Sequence, residues 1–177
     1  GWWLRQDVIW HKPNAMPASV RDRCTTAHEY LFLLTKNARY YYDADAIAER
    51  AVSEHPSGNG FAGRQGGAEH MPMSGGEGTQ EQWTPTVKFN CRAVWTIPTQ
   101  PYPGAHFATM PESLVEPCIL AGSRAGDVVF DPFMGSGTVA AVAQRLGRKW
   151  LGCELNPAYG ELIEQRVRGT LGLELTA

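Results

Sequence analysis

The stretch Val128-Val129-Phe130-Asp131-Pro132-Phe133-Met134-Gly135-Ser136-Gly137-Thr138, continued by Val139-Ala140-Ala141-Val142-Ala143, decides how this chain folds. A short β-branched and aromatic run ends in an acid, turns through Gly-Ser-Gly and opens into a small apolar run, the pattern of strand, tight loop and helix. Glycine suits such a turn because the chain must take a positive φ or come within contact distance of a ligand, where a Cβ would intrude. The helix that follows presents its first free N–H groups to whatever sits there. Lys149-Trp150-Leu151-Gly152-Cys153 reads as the next strand, ending at Glu154, with Gly147 in the C′ position that closes the helix between them. Asn156 and Pro157 cap a last helix, whose Leu162, Ile163 and Val167 form a buried stripe. Strand, loop, helix, strand, helix is one βαβ unit with a ligand crevice at its strand ends.

Two ligand classes fit that crevice. Gly135-x-Gly137-x-x-Ala140 satisfies the loose dinucleotide fingerprint, in which a pyrophosphate rests on a helix N-terminus. A fixed carboxylate at Asp131 would repel a pyrophosphate, whereas it suits a ligand with a cationic amino group and a sulfonium, such as S-adenosylmethionine. Glu154 lies roughly 20 residues beyond the glycines, the distance of an acid that holds ribose hydroxyls, and so does not separate the two ligands. A glycine-rich turn in an ordinary α/β domain, with Glu154 an exposed strand-end acid, is the third reading.

Longer segments make the pattern specific. DPFMGSGT (131–138) and AAVAQRLGRKWLGCELNPAYGELIEQR (140–166) closely resemble the C-terminal segment of bacterial and phage DNA amino-methyltransferases, the N6-adenine and N4-cytosine enzymes. GWWLRQDVIWHKPNAMP (1–17), HEYLFLLTKNARYYYDADAI (28–47) and WTIPTQPYPGAHFATMPESLVEP (95–117) extend the resemblance over nearly the whole chain except the glycine-rich middle. Their order is that of the circularly permuted class, with the cofactor loop last. The resemblance implies an α/β, Rossmann-like, S-adenosylmethionine-dependent methyltransferase fold and double-stranded DNA as partner, with a restriction endonuclease as a possible companion in the cell. It further implies that Asp131, Pro132, Phe133, Gly135, Ser136, Gly137, Thr138, Glu154 and Leu155 hold the cofactor, and that His106, Phe107, Ala108 and Thr109 pack over its methionine moiety.

The resemblance also marks a departure. The family's catalytic tetrapeptide, an Asp, Asn or Ser followed by Pro-Pro and an aromatic, is absent, because no two prolines are adjacent anywhere in the chain. That motif accepts the hydrogens of a poorly nucleophilic exocyclic amine and stacks on the flipped base, so no catalytic residue is assigned here. In the permuted order the motif would precede Gly1, on an interior strand between the one ending at Asp131 and the one containing Asp7 to Trp10. The expectation is therefore a fold incomplete at its N-terminus, with unpaired ladders and exposed apolar surface. Residues 1–52 would be the C-terminal part of the catalytic half, 53–90 a glycine-rich mobile loop and candidate target-recognition region, and 91–177 the cofactor-binding half.

Composition bounds the rest. At 177 residues and 43% hydrophobic the chain can build one domain with a real core. A net charge of −2 gives no global basic footprint, so DNA would have to be met by local patches. Cys24, Cys91, Cys118 and Cys153 are scattered without a CxxC pair, which reads as reduced, buried small hydrophobes and indicates no metal site. No apolar stretch is long enough to span a bilayer and no signal-peptide pattern opens the chain, so a cytoplasmic protein is the default.

In chain order, Trp2-Trp3-Leu4 and Asp7-Val8-Ile9-Trp10 approach a buried strand that Pro13 and Pro17 end. Lys12 and Asn14 in the loop beyond can contact a phosphate or base edge, though a solvated loop explains them nearly as well; with Lys12, Arg21 and Arg23 make a small basic cluster suited to a DNA backbone. Tyr30-Leu31-Phe32-Leu33-Leu34 is strand-like, and Lys36-Asn37-Ala38-Arg39 reads as a turn into Tyr40-Tyr41-Tyr42, giving a hairpin, with a short helix from Asp43 to Arg50. Within 53–90, Arg64, Gln65, His70, Gln80, Gln82 and Lys88 are types able to touch DNA, without spacing that identifies base readers. Thr109 and Glu112 have capping-box spacing for a helix carrying Leu114, Val115, Ile119 and Leu120, kinked at Pro117. Two other functions remain open: a non-catalytic remnant that binds cofactor or DNA, and a nicotinamide-dependent dehydrogenase.

Overall fold

The computed structural model describes residues 1–50, 88–100 and 110–170. Strand β1 (Trp3–His11) pairs antiparallel with β2 (His28–Thr35), and at its end runs parallel to β5 (Val94–Thr96), in the order β2-β1-β5. Two-residue strands β3 (Glu49–Arg50) and β4 (Lys88–Phe89) pair antiparallel. Helix α1 (Glu112–Gly122) leads to β6 (Val128–Asp131), α2 (Thr138–Arg145), β7 (Lys149–Gly152) and α3 (Gly160–Gly169). The β6 and β7 strands are parallel, Val128 facing Lys149 and Asp131 facing Gly152, so the βαβ unit read from the glycine loop is present.

Helix α2 is the centre of this half. It touches α1, α3, β6 and β7, and its Ala140, Ala141, Val142 and Ala143 are fully buried, which only small side chains allow for a helix wedged between neighbours on several sides. On one side Val142 and Ala143 pack against Val115 and Ile119 of α1, with Val129, Val139 and Leu146 around them. On the other, Ala140 packs with Met134 and Val167, and Ile163 of α3 closes over them. Substituting Val142 with alanine should therefore lower unfolding free energy by about 2 kcal/mol, read as a shift of the urea midpoint at unchanged slope.

Arg148 ties the helix ends together. Its guanidinium donates to the carbonyls of Ser123, just past α1, and Leu146, just past α2, at 2.8 and 2.6 Å, placing one cation at two negative dipole ends. The Asp43 amide donates to the Ala121 carbonyl at 2.9 Å and the Arg124 guanidinium lies 4.0 Å from the centre of the Tyr41 ring, so the end of α1 also carries the chain that follows β2.

Several sequence expectations are corrected. Tyr40 to Tyr42 form no strand, because β2 takes its antiparallel partner upstream in β1; Tyr40 and Tyr42 instead meet edge to face at 6.5 Å. The helix expected from Asp43 to Arg50 is one 3-10 turn, Asp45–Ile47, since Ala48 turns extended and Glu49 enters β3, where its carboxylate holds the Arg92 backbone amide and guanidinium at 2.8 Å. Helix α1 has Pro111 as N-cap with no side-chain cap, which makes Glu112 the first helical residue and excludes the capping box, whose acid sits at the third; Thr109 lies outside the described residues. The helix runs on through Pro117 to Gly122. Before α3 comes a 3-10 turn, Pro157–Tyr159, and the Asn156 side chain caps that turn by accepting from the Ala158 amide. Cys24, Cys118 and Cys153 are exposed and Cys91 half-buried, where buried small hydrophobes were expected.

Strand β1 is mostly exposed, with Trp10 its buried residue, where a buried strand was expected. Its second edge meets β5 only from Ile9 to His11. Strand β6 bonds to β7 on one side and belongs to a sheet separate from that of β1. Val128 and Phe130 on β6 are 60% and 55% exposed, the apolar surface that an open parallel sheet leaves uncovered. No described helix is long and apolar enough to cross a membrane.

Candidate functional site

The glycine loop is clamped to the end of β7 by reciprocal backbone bonds. The Met134 amide donates to the Cys153 carbonyl at 2.9 Å and the Cys153 amide to the Asp131 carbonyl at 3.0 Å. Met134 is buried beneath, and its methyl lies where a Cβ on Gly152 would stand, so Gly152 is the space the loop needs to close. Above this base Gly135 and Gly137 take φ of +53° and +78°, conformations in which other residues are strained, and Gly137 is the N-cap of α2.

Two carboxylates face the loop. Asp131 Oδ1 accepts from the Phe133 amide at 2.9 Å, which fixes the side chain at the strand end and leaves its second oxygen available. Glu154 bridges the loop and the strand that follows it: Oε1 accepts from the Asn156 amide at 2.8 Å and Oε2 from the Gly135 amide at 2.7 Å. Those N–H donors, Asn156 first and Gly135 second, hold its pKa below the ordinary glutamate value against the opposing effect of desolvation. Phe133 and Leu155, 87% and 98% exposed, stand out on either flank, with exposed Pro132 beside Phe133. Fixed acids framed by uncovered apolar side chains are the makings of a site for a ligand with cationic, hydroxylated and apolar parts.

A residue that no sequence motif marks binds this loop from behind. Arg166 of α3 donates to Ser136 Oγ and Thr138 Oγ1 at 3.0 and 2.9 Å and pairs with Glu112 at 3.2 Å. Arg145 of α2 joins the same acid at 3.5 Å. Residues drawn from three helices meet here, and no local spacing in the sequence announces it.

The candidates toward DNA are dispersed. Lys12 forms an ion pair with Glu29 and lies 4.4 Å from the centre of the Trp10 ring, while both amide atoms of Asn14 bond the backbone of Thr99 at 3.1 and 2.9 Å. Both line a cavity of about 780 Å³ that also reaches Met110 and Leu114 at the start of α1. Arg21 and Arg23 are exposed, Arg23 beside Asp22 at 3.5 Å. Lys88 contributes its backbone to β4; its side chain, together with Arg64, Gln65, His70, Gln80, Gln82, His106, Phe107, Ala108 and Thr109, lies outside the described residues. Among the described residues no group of three or more His, Cys, Asp or Glu is placed to hold a metal.

The family model N6_N4_Mtase, DNA methylase, matches residues 1–165. This chain belongs to that DNA methylase family. The chain is 45% identical over 169 residues to the Type II methyltransferase M.Cfr9I of Citrobacter freundii, covering 96% of this chain and 46% of that protein. To M.SmaI of Serratia marcescens it is 43% identical over 167 residues, covering 94% and 47%. The chain thus spans about half the length of these curated relatives. The PvuII DNA methyltransferase (cytosine-N4-specific) superposes on the whole chain and 54% of its own with a TM-score of 0.67 at 19% identity, which establishes the α/β methyltransferase fold. TTHA0409 of Thermus thermophilus, a putative DNA modification methylase complexed with S-adenosyl-L-methionine, aligns with a TM-score of 0.52 at 26% identity, covering 96% of this chain and 55% of that one.

Proposed function

We propose that the glycine loop of this methylase binds S-adenosylmethionine, and that the chain supplies the cofactor-binding part of an enzyme that methylates an exocyclic amine, N6 of adenine or N4 of cytosine, in double-stranded DNA. The observation that carries the reading is the pair of carboxylates set on one glycine loop, with Asp131 at the end of β6 and Glu154 held ionised by two backbone N–H groups. A pyrophosphate would meet the negative charge of Asp131, whereas an amino group and a sulfonium are attracted by it. Asp131 and the Gly135 to Thr138 loop would face the amino-acid half, Glu154 the ribose, and Phe133, Pro132 and Leu155 the adenine and its surroundings. When bound, the cofactor supplies a methyl group activated by the positive sulfur.

This chain's own part is binding and orientation. Twelve prolines occur and no two are adjacent, so no residue is assigned to accept the protons of the target amine. The Type II names of the relatives favour a restriction endonuclease as cellular companion and the cytoplasm as compartment.

Calorimetric titration of the chain with S-adenosylmethionine and, separately, with NAD tests the reading. The expected result is binding of the first and not of the second, with Asp131→Asn weakening S-adenosylmethionine about tenfold, equivalent to ~1.4 kcal/mol. Binding of NAD alone, or of neither, would overturn it.

A further inference from the structure

We propose that the outer face of the β2-β1-β5 sheet is a self-association surface, on which a second copy of this chain packs with its strands running the opposite way. This surface is independent of the cofactor reading. Helix α1 serves only the inner face, where Val8, Leu31, Leu33 and Trp95 line a cavity of about 200 Å³ whose far wall is Pro117, Cys118 and Ala121. The register places Leu4 and Ile9 of β1, Tyr30, Phe32 and Leu34 of β2, and Val94 of β5 on the outer face. All but Ile9 are exposed, Leu4 at 63% and Phe32 at 59%.

The sequence is written for cover on this side. Tyr30 to Leu34 is an unbroken apolar run, the signature of a strand buried on both faces. In a regular strand Leu4, three residues before Asp7, would face α1; the bulge at Arg5 adds one residue and turns Leu4 outward beside Leu34. Leu4, Tyr30, Phe32, Leu34 and Val94, each about half exposed, make with their polar neighbours a patch on the order of the 800 Å² that each partner gives to a stable interface.

The polar groups select a second copy as the occupant. Along β1 the outer face reads Asp7, Ile9, His11, so an acid and an imidazole stand about 7 Å to either side of Ile9. Opposite them on β2 are Phe32, Tyr30 and His28. A two-fold axis lying between two such sheets and crossing the strands at Ile9 and Tyr30 sets Asp7 of each copy against His11 of the other, and Phe32 against His28. Asp7 has no hydrogen-bond or ion-pair partner among the described residues, and an acid under a purely apolar cover would stay uncompensated. Thr96 Oγ1 lies 3.2 Å from His11 Nδ1, so the threonine hydroxyl serves that nitrogen and leaves Nε2 to donate to the facing carboxylate.

Sedimentation equilibrium over about two decades of concentration tests the surface. The expected result is an association that stops at the dimer. Asp7→Lys should weaken it roughly 30-fold and Phe32→Glu roughly 100-fold, because the two-fold counts every contact twice. The charge-swapped chain, Asp7→Lys with His11→Asp, should dimerise again to within about fivefold of wild type, a recovery that only the opposed arrangement gives. If Phe32→Glu fails to fold by circular dichroism, the Asp7 variants decide, since that side chain is exposed. A chain monomeric throughout leaves the face to a different polypeptide and overturns the inference. Growth past the dimer, or a swapped chain as weak as Asp7→Lys alone, overturns it as well.

Discussion

Replacing Gly137 with alanine should destabilise the chain by about 2–4 kcal/mol. Two costs add at this position. At φ +78° a Cβ lies against the following carbonyl, at a cost of roughly 1–2 kcal/mol. The same Cβ would stand 3.2 Å from Cγ2 of Ile163 and 3.3 Å from its Cα and Cγ1. The Cα belongs to the α3 backbone, so the clash is relieved only by moving the helix, and overpacking of this kind costs about 1–3 kcal/mol. Reduced freedom of the unfolded chain returns ~0.4–1 kcal/mol. Gly135 is the internal control: its φ is +53° but the nearest atom to a built Cβ is the Phe133 carbonyl oxygen at 3.9 Å, so Gly135→Ala should carry the backbone cost alone. Urea denaturation of both variants measures the difference, and equal midpoint shifts would mean that α3 does not rest on the loop. Because Arg166 rides on α3, Gly137→Ala should also loosen the Ser136 contact and weaken ligand binding.

That dependence of the loop on a distant helix marks how far the sequence could be read. Residues 128 to 154 were legible because every signal there is local: a β-branched run, an acid, two glycines, an alanine-rich helix, Gly147 and a second apolar run. The structure follows them with β6, α2 and β7, and Gly147 takes the positive φ that a C′ glycine should. Arg166 was not legible. Its partners Glu112, Ser136 and Thr138 lie 54, 30 and 28 residues away, so only the packing of α1 and α3 on the two sides of α2 brings them together. The spacing from Thr109 makes Glu112 a capping acid, yet Pro111 takes the cap and frees the carboxylate for the two arginines.

The front of the chain was read by local pattern where pairing is not local. Turn residues between Thr35 and Tyr40 suggested a hairpin, but the register runs from Trp3 opposite Thr35 to His11 opposite His28, with a bulge near Arg5 that shifts the pairing by one residue. Acids and alanines from Asp43 onward suggested a helix, and the Asp43 side chain does cap a turn by accepting from the Ala46 amide at 3.0 Å. Pairing of Glu49 and Arg50 with Phe89 and Lys88 then takes the backbone that a second helical turn would need. Asn14 shows the same limit at a single side chain, since its amide closes a loop onto Thr99, a partner 85 residues on.

Glu154→Gln should weaken binding of S-adenosylmethionine roughly 30- to 100-fold, because the carboxylate organises the loop and, in the proposed site, faces the ligand. Each of its oxygens accepts one backbone N–H, from Gly135 and from Asn156. Glutamine has one acceptor oxygen, and its NH₂ would point at the other N–H, so one bond is replaced by opposed donors. The pH dependence identifies the cause. The Asn156 and Gly135 amides lower the folded-state pKa of Glu154. Its contribution to stability is therefore complete above the unfolded glutamate pKa of about 4.3 and is lost as pH falls through the lowered folded value. Glutamine does not titrate, so urea midpoints of wild type and variant should stay a constant distance apart from pH 7 to pH 5 and converge in more acid solution. A gap that widened on acidification would show that Glu154 is not the ionised acceptor on which the loop is built.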